Sequence, residues 1–366
     1  MIEIKKITKS GVLEFIDNNE HFQNGFFVSS KHRLLSHYNN PNIDNDDIVL
    51  LLAYLNKECV GYMGMFIDKV SINSEVKKIG WLSTWWVDSK ARGSGLKILQ
   101  TMYDLNNGFI GISHFTDTAK RLYDKIGYFN NLKNFEGLEF ILRVDLVSFL
   151  HYRFGISRKN IILNLIGDIT EALETARLSY SRRKIRKSLI NVSIEYLSEI
   201  DAEVIDLISK WNSNDLSPKS DVFFNYLKKY SWLVDAPSID LTESNNYEFS
   251  SFDNYFNISL VKIKKADECI GFVVLQNRNR TTKVLFTYFD PEVVFEIGQV
   301  ILLHALDCKS INLLCYVDIL SDVIGQNKFF VKSKESKYSS IISKTYGDIN
   351  FDEYRIQYGD GDNCFT

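Results

Sequence analysis

The stretch Trp81 to Leu105, WLSTWWVDSKARGSGLKILQTMYDL, constrains the fold more than any other part of the chain. It runs from an aromatic, strand-like segment through two glycines, Gly93 and Gly95, into an amphipathic segment that sets Leu96, Leu99, Met102 and Tyr103 on one helical face. Glycines at a strand-to-helix turn let the main chain come close to a neighbour, because no Cβ stands in the way. The neighbour must be a phosphate, another strand or nothing, and the rest of the sequence has to decide which.

Around this junction the pattern is that of an α/β unit rich in strands. MIEIKKI reads as a strand followed by a helix, and NGFFVSSKHRLLSHYNN as an aromatic helical stretch. DIVLLLAYLNKECVGYMGMFI reads as two strands joined by a turn at LNKE. After the glycines, GFIGISHF is a short strand, and DTAKRLYDKI a helix that stops at Gly127. At 366 residues the chain suits two domains. We expect an α/β (α+β) architecture of two domains, each a mixed, mostly antiparallel sheet flanked by helices: 1–150, a helical connector 151–190, and 191–366.

The second domain repeats the first in element order. DECIGFVVL answers KECVGYMGM, aligning Cys269 with Cys59 and Gly271 with Gly61. VLFTYFDPEVVFEIGQVILLHAL stands where WLSTWWVDSKARGSGLKILQTMY stands, Thr287 against Thr84 and Gly298 against Gly95. The connector carries the basic run SRRKIRK, Ser181 to Lys187, which suits a solvated helix face or an acidic partner.

Composition narrows the partners. A net charge of -3 without long like-charge blocks argues against nucleic acid. Five cysteines with no C-x-x-C pair point to reduced core residues, with no metal expected. The N-terminal residues lack a hydrophobic targeting segment and no apolar run is long enough to span a bilayer, so a soluble cytoplasmic protein, open to forming a homodimer, is expected.

Two phosphate-binding patterns fail on the glycine turn. A nucleotide P-loop needs Lys-Ser/Thr directly after its last glycine, but Leu96 and Lys97 follow Gly95. A dinucleotide fingerprint needs a third glycine where Ile98 stands. A basic residue followed by Gly-x-Gly at a helix start fits Lys90 to Gly95. There the amides of Arg92 to Lys97 can converge on a pyrophosphate at the positive end of the helix, with Arg92 and Lys97 adding charge. The end of the preceding strand, Trp85, Trp86 and Val87, can bond an extended amide-containing arm. Pyrophosphate plus amide arm describes coenzyme A.

Here the sequence resembles the GNAT superfamily of acyl-CoA-dependent N-acyltransferases, whose acceptor loop V-x-x-x-x-R-G-x-G matches Val87, Arg92, Gly93, Ser94 and Gly95. A second family pattern, A-x-x-x-Y-x-x-x-G-F/Y, is matched by Ala119, Tyr123, Gly127 and Tyr128. The resemblance covers about residues 1–145, and the second half only in element order. It implies acetyl-CoA or another acyl-CoA as co-substrate, held by Trp85, Trp86, Val87, Arg92, Gly93, Ser94, Gly95, Leu96, Lys97, Thr116 and Ala119. Thr116 stands where many relatives have asparagine. In the second half DPEVVFEIG has lost a glycine and gained Glu292 and Glu296, which would repel a pyrophosphate, so a degenerate domain without coenzyme A is expected.

In such a reaction an amine attacks the thioester directly. The resemblance makes Tyr123 the acid for the departing thiolate, and His114, with Asp117 close in sequence, is a candidate base. The acceptor is expected near the aromatic N-terminal helix and the tryptophan strand, with His32, Arg33, His37 and Trp81 as contacts. A small-molecule or glycan amine, such as an amino sugar in surface-glycan synthesis, is the expected acceptor. The alternatives are a tandem-domain aminoacyl transferase acting on a cell-wall precursor, and a module that binds coenzyme A without catalysis.

Overall fold

The computed structural model of the chain describes residues 2–23, 25–144, 150, 161–235, 252–253, 255–327 and 329–365. The expected connector therefore lies partly outside the described residues, and its described part is a helix from Ile161.

In chain order the elements begin with β1 (Glu3–Thr8), α1 (Val12–Asp17), the short β2 (Phe22–Gln23) and β3 (Phe26–Phe27), and α2 (Lys31–Asn39). Next come β4 (Ile48–Leu55), β5 (Glu58–Ile72), β6 (Glu75–Val87), α3 (Ser94–Leu105), β7 (Ile110–Ile112), α4 (Asp117–Ile126) and β8 (Phe129–Ile141). The long α5 (Ile161–Ser188) leads to β9 (Val192–Leu197), α6 (Ala202–Trp211), α7 (Asp221–Lys229), β10 (Val234–Asp235) and β11 (Phe252–Asp253). Then follow β12 (Phe256–Lys265), β13 (Glu268–Arg278), β14 (Thr281–Phe289), α8 (Val294–Asp307), β15 (Asn312–Cys315), α9 (Asp318–Gly325) and β16 (Lys332–Ser343). A 3₁₀ turn, Gly361–Phe365, follows.

These elements form two compact units: unit 1 takes the segments 1–135, 198–258 and 338–366, and unit 2 takes 136–197 and 259–337. The consecutive division 1–150, 151–190, 191–366 does not describe them. The reason is an exchange of strands. In unit 1, β7 pairs with the end of β16, Ile341 against Ile112. In unit 2, β15 pairs with the end of β8, Cys315 against Leu138. Each unit thus completes its sheet with a strand remote in sequence.

Unit 1 has the strand order β1-β4-β5-β6-β7-β16, antiparallel except for β6 beside β7. The apolar run of β4 is buried through Ala53. The hairpin to β5 turns at Asn56 and Lys57, with φ 52° and 70°, the two positive values a tight two-residue hairpin turn requires. Helix α3 buries Ile98, Leu99 and Met102 against the sheet, while Leu96 stays 38% exposed and does not join that face.

Unit 2 has the order β9-β12-β13-β14-β15-β8, with β14 and β15 parallel. The two units share one feature of register. Gly61 pairs with Val87 at the end of β6, and Gly271 with Phe289 at the end of β14. A Cβ on Gly61 would stand 3.0 Å from Ile98 Cδ1, and one on Gly271 2.3 Å from Ile297 Cδ1, so both glycines admit an isoleucine of the following helix. The register corrects the alignment: Thr287 corresponds to Trp85, the residue paired two places along, not to Thr84. Within unit 2, Arg182 and Arg186 of the basic run both meet Asp307.

Candidate functional site

The parallel pairing of β6 with β7 spans only Gly80 and Trp81, opposite Ile110 and Gly111. Beyond it Leu82 to Val87 continue with β5 as strand partner, and among the described residues no strand pairs with their other edge, which can hydrogen-bond an extended ligand. A bulge sits in this open stretch: Gly64 pairs with Ser83 and Met63 with Trp85, leaving Thr84 as the extra residue at φ 47°. A β-branched residue in that region is strained, and a bulge re-aims the backbone groups on either side of it. Gly64 makes the bulge possible, since a Cβ there would lie 2.8 Å from the Ser83 carbonyl oxygen.

The strand leads into the glycine turn. Asp88 accepts from the amide of Lys90 at 2.8 Å and its carbonyl from Ala91 at 2.9 Å, which folds the chain back on itself. Gly93 has φ 86° and caps α3, with open space where a Cβ would be, so glycine is needed there for conformation. Gly95 is needed for room, because a Cβ would come 3.1 Å from Trp85 Cζ2 and 3.3 Å from Val87 Cγ2. Ser94 is buried and its hydroxyl donates to Ala91 O at 2.7 Å. Arg92 and Leu96 are exposed at the turn. Lys97 is exposed; its ammonium bonds Ile2 O, and its amide donates to Gly93 O within the helix.

Tyr123, on α4, is a core aromatic at 5% exposure, stacked on Trp85 at 6.0 Å and edge-on to Phe115 and Phe129. Burial, and then the charge of Asp362, push its hydroxyl well above the usual tyrosine range, so it stays protonated and able to donate. Trp86 packs against Phe26 and Tyr62. Thr116 caps α4, its hydroxyl accepting from Ala119 N at 3.3 Å, and Ala119 packs on the core. His114 is exposed beyond β7 and meets Tyr338 edge-on at 5.8 Å.

On the other side stands α2. Its Ser30 cap accepts from Arg33 N at 3.2 Å. His32 Nε2 bonds Trp232 O at 2.5 Å. Arg33 is buried, donates from Nη2 to Ser83 Oγ at 2.9 Å, and lies 4.0 Å over the Trp232 ring. His37 is buried against the same ring, with burial and then Arg33 holding its imidazole neutral. Trp81 is 1% exposed and lies in the core, not on a surface where an acceptor ring could rest.

One residue of this cluster was missed in the sequence. Asp362 accepts a hydrogen bond from Ser113 Oγ at the end of β7, and Arg33 and His114 act on its charge. Burial raises its carboxyl, and Ser113, Arg33 and His114 partly hold it down. No local pattern marks it, because Ser113 and Asp362 are 249 residues apart.

No family sequence model and no curated protein sequence matches the chain. Solved structures do. A conserved protein of unknown function from Enterococcus faecalis V583, given as a probable N-acyltransferase, superposes with a TM-score of 0.51 at 9% identity, over 94% of this chain and 73% of that one. A GCN5-related N-acetyltransferase from Anabaena variabilis gives 0.48 at 8% identity, over 93% and 72%. Saccharomyces cerevisiae N-myristoyltransferase with bound myristoyl-CoA gives 0.48 at 9%, over 97% and 83%. The Enterococcus structure, matched over nearly the whole chain, shows that this chain shares that protein's fold.

Proposed function

We propose that unit 1 binds one acyl-CoA and transfers its acyl group to a primary amine. The observation that carries this reading is the continuity of Leu82–Val87 with the Gly93-capped start of α3. The open strand edge suits the amides of the pantetheine arm. The first-turn amides of α3 suit the pyrophosphate, with exposed Arg92 beside them.

In this reading the bulge at Thr84 aims backbone groups at the thioester carbonyl, where they can steady the developing oxyanion. The amine nitrogen attacks the carbonyl carbon, the C–S bond breaks, and Tyr123 supplies a proton to the thiolate. The acceptor enters on the side of α2. An amino-sugar acceptor draws no support from His32, which is bound to the main chain of Trp232, or from Trp81, which is in the core. We therefore keep the acceptor at the level of a primary amine.

Unit 2 lacks the same features. Its helix α8 begins after the turn Pro291–Val293 without a left-handed glycine cap, and Glu296 in its first turn pairs with Lys265 at 2.5 Å. Carboxylates at a helix start oppose a pyrophosphate, so we assign coenzyme A to unit 1 alone. The test is calorimetric titration with acetyl-CoA followed by thiol release against a panel of amines. Absence of acetyl-CoA binding at millimolar concentration rejects the reading.

A further inference from the structure

Resting on the acyltransferase reading, we infer that the Asp362 carboxylate is the anchor and proton acceptor for the acceptor's ammonium group, delivered to the site by the segment Arg355–Phe365.

The segment is fixed from both sides. At its start Arg355 pairs with Asp215 and donates to Trp211 O at 2.6 Å. In its middle Asp360 lies 3.6 Å from the buried ammonium of Lys219, which bonds Asp68 at 2.5 Å and Ser217 at 2.6 Å. At its end Phe365 stacks on Trp232 at 4.6 Å and meets Phe66 at 5.0 Å. Between these anchors Gly361 has φ 71°, and a Cβ on it would lie 2.9 Å from Ser113 Cβ and 3.0 Å from Trp81 Cδ2. Only glycine lets the main chain press against Trp81 and the end of β7 there. That contact sets Asp362 under the Ser113 hydroxyl.

The chemistry of the place selects a cation. Asp362 is a carboxylate that is only half-buried, so a ligand can reach it. Its Oδ1 accepts a hydrogen bond from Ser113 Oγ. Two cationic groups already act on its charge, Arg33, which also bonds Ser83 and lies on the Trp232 face, and His114, which meets Tyr338 edge-on. The charge of Asp362 is felt at the hydroxyl of Tyr123, which stays protonated. Amines reach an enzyme largely as ammonium ions, which a carboxylate attracts but which cannot attack a thioester.

The step balances as follows. The ammonium gives one proton to Asp362, and the freed amine forms the C–N bond with the thioester carbonyl carbon. The C–S bond breaks, the second amine proton reaches the thiolate sulfur through Tyr123, and Asp362 returns its proton to water. Amide, free thiol and one proton result.

The test uses the full chain as wild type, Asp362→Asn and Asp362→Glu. Coenzyme A is titrated first, then ethylammonium and phenylethylammonium into the coenzyme A complex, by calorimetry. We expect coenzyme A affinity to be unchanged in both variants and alkylammonium affinity to fall about tenfold or more in Asp362→Asn. Thiol release from acetyl-CoA with the same amines should fall by about 10²–10⁴-fold in Asp362→Asn. With aniline, whose nitrogen is already unprotonated at neutral pH, the fall should be only a few-fold. Asp362→Glu should keep alkylammonium binding, which a merely structural role of Asp362 would not predict. Binding and turnover of alkylamines at wild-type levels in Asp362→Asn overturn the inference, and so does a wild-type complex that takes up neither alkylammonium. Failure of the wild type to bind coenzyme A is a different result, and removes the reading beneath.

Discussion

Ser113 Oγ donates a hydrogen bond to Asp362, joining the end of β7 to a segment 249 residues further along. The bond favours the ionised carboxylate, while burial works the other way. Replacing Ser113 with alanine removes a donor that stabilises the ionised form, and hence raises the Asp362 pKa further. The acid limb of the kcat/KM profile for an amine acceptor should move to higher pH, with little change at its plateau. An unmoved limb would separate Ser113 from the chemistry.

The two glycines of the turn should fail in different ways. Gly95→Leu drives a side chain into Trp85 and Val87, both within 3.3 Å of the first added carbon. It should lower Tm by several degrees, corresponding to about 1–3 kcal/mol of overpacking, and weaken acetyl-CoA by at least tenfold. Gly93→Ala meets no neighbour but must hold φ 86°, which costs roughly 1–2 kcal/mol. It should be milder on stability than Gly95→Leu while still weakening the cofactor. Differential scanning fluorimetry with and without acetyl-CoA reads both effects.

What the sequence shows depends on how far a constraint reaches along the chain. Gly93 and Gly95 were legible because each answers a local need, a left-handed cap and room against β6. The bulge was not, since Thr84 is a β-branched residue in a conformation such residues avoid. Its signal lay on the partner strand, where Gly64 interrupts an apolar run opposite Ser83. Trp81 read as part of an acceptor surface because it shares a strand with Trp85, yet Gly111 and Gly361 close over it. The composition of the units escaped the reading because it rests on pairs such as Lys219 with Asp68, 151 residues apart.

The buried group around Lys219 makes stability depend on pH in a way that one variant isolates. Asp360 is pushed up to about 7 by burial, with Lys219 opposing and Asp215 and Asp68 adding to the rise. Between the ordinary aspartate value of 3.8 and about 7 the folded protein keeps a proton that the unfolded chain has released. The contribution of Asp360 to stability is therefore complete at low pH and is lost as pH rises through 7. Buried histidines such as His37 act in the opposite sense, so the comparison has to be differential. Asp360→Asn should melt close to wild type at pH 5 and increasingly above it toward pH 8. A constant difference in Tm across that range would contradict the assignment.

Removing the cation of the same cluster should be costly at every pH. Burial works against the charge on Lys219, but Asp68 and Asp360 outweigh it and raise its pKa. Lys219→Met leaves the Asp68 carboxylate buried beside Ser217 without its partner, a loss of about 3–5 kcal/mol. For a chain of this size that is a fall in Tm of roughly 10 °C. A change of less than about 2 °C would show that the cluster does not fix the segment that carries Asp362.

The two units predict a stoichiometry. In unit 1 the helix after the open strand starts at a left-handed glycine with exposed Arg92 beside it. In unit 2 the corresponding helix starts at Val293, follows the turn holding Glu292, and places Glu296 in its first turn. The bulge differs as well. In β14 it falls at Leu285, where Val274 pairs with Phe286 and Leu275 with Val284, and no left-handed residue occurs there. Acetyl-CoA titration should saturate at one molecule per chain, and Gly95→Leu should remove that site, leaving no weaker second one. Glu296→Gln should leave the stoichiometry at one, because the missing glycine cap and the shifted bulge remain. A measured ratio near two would show that unit 2 holds the cofactor despite its acids.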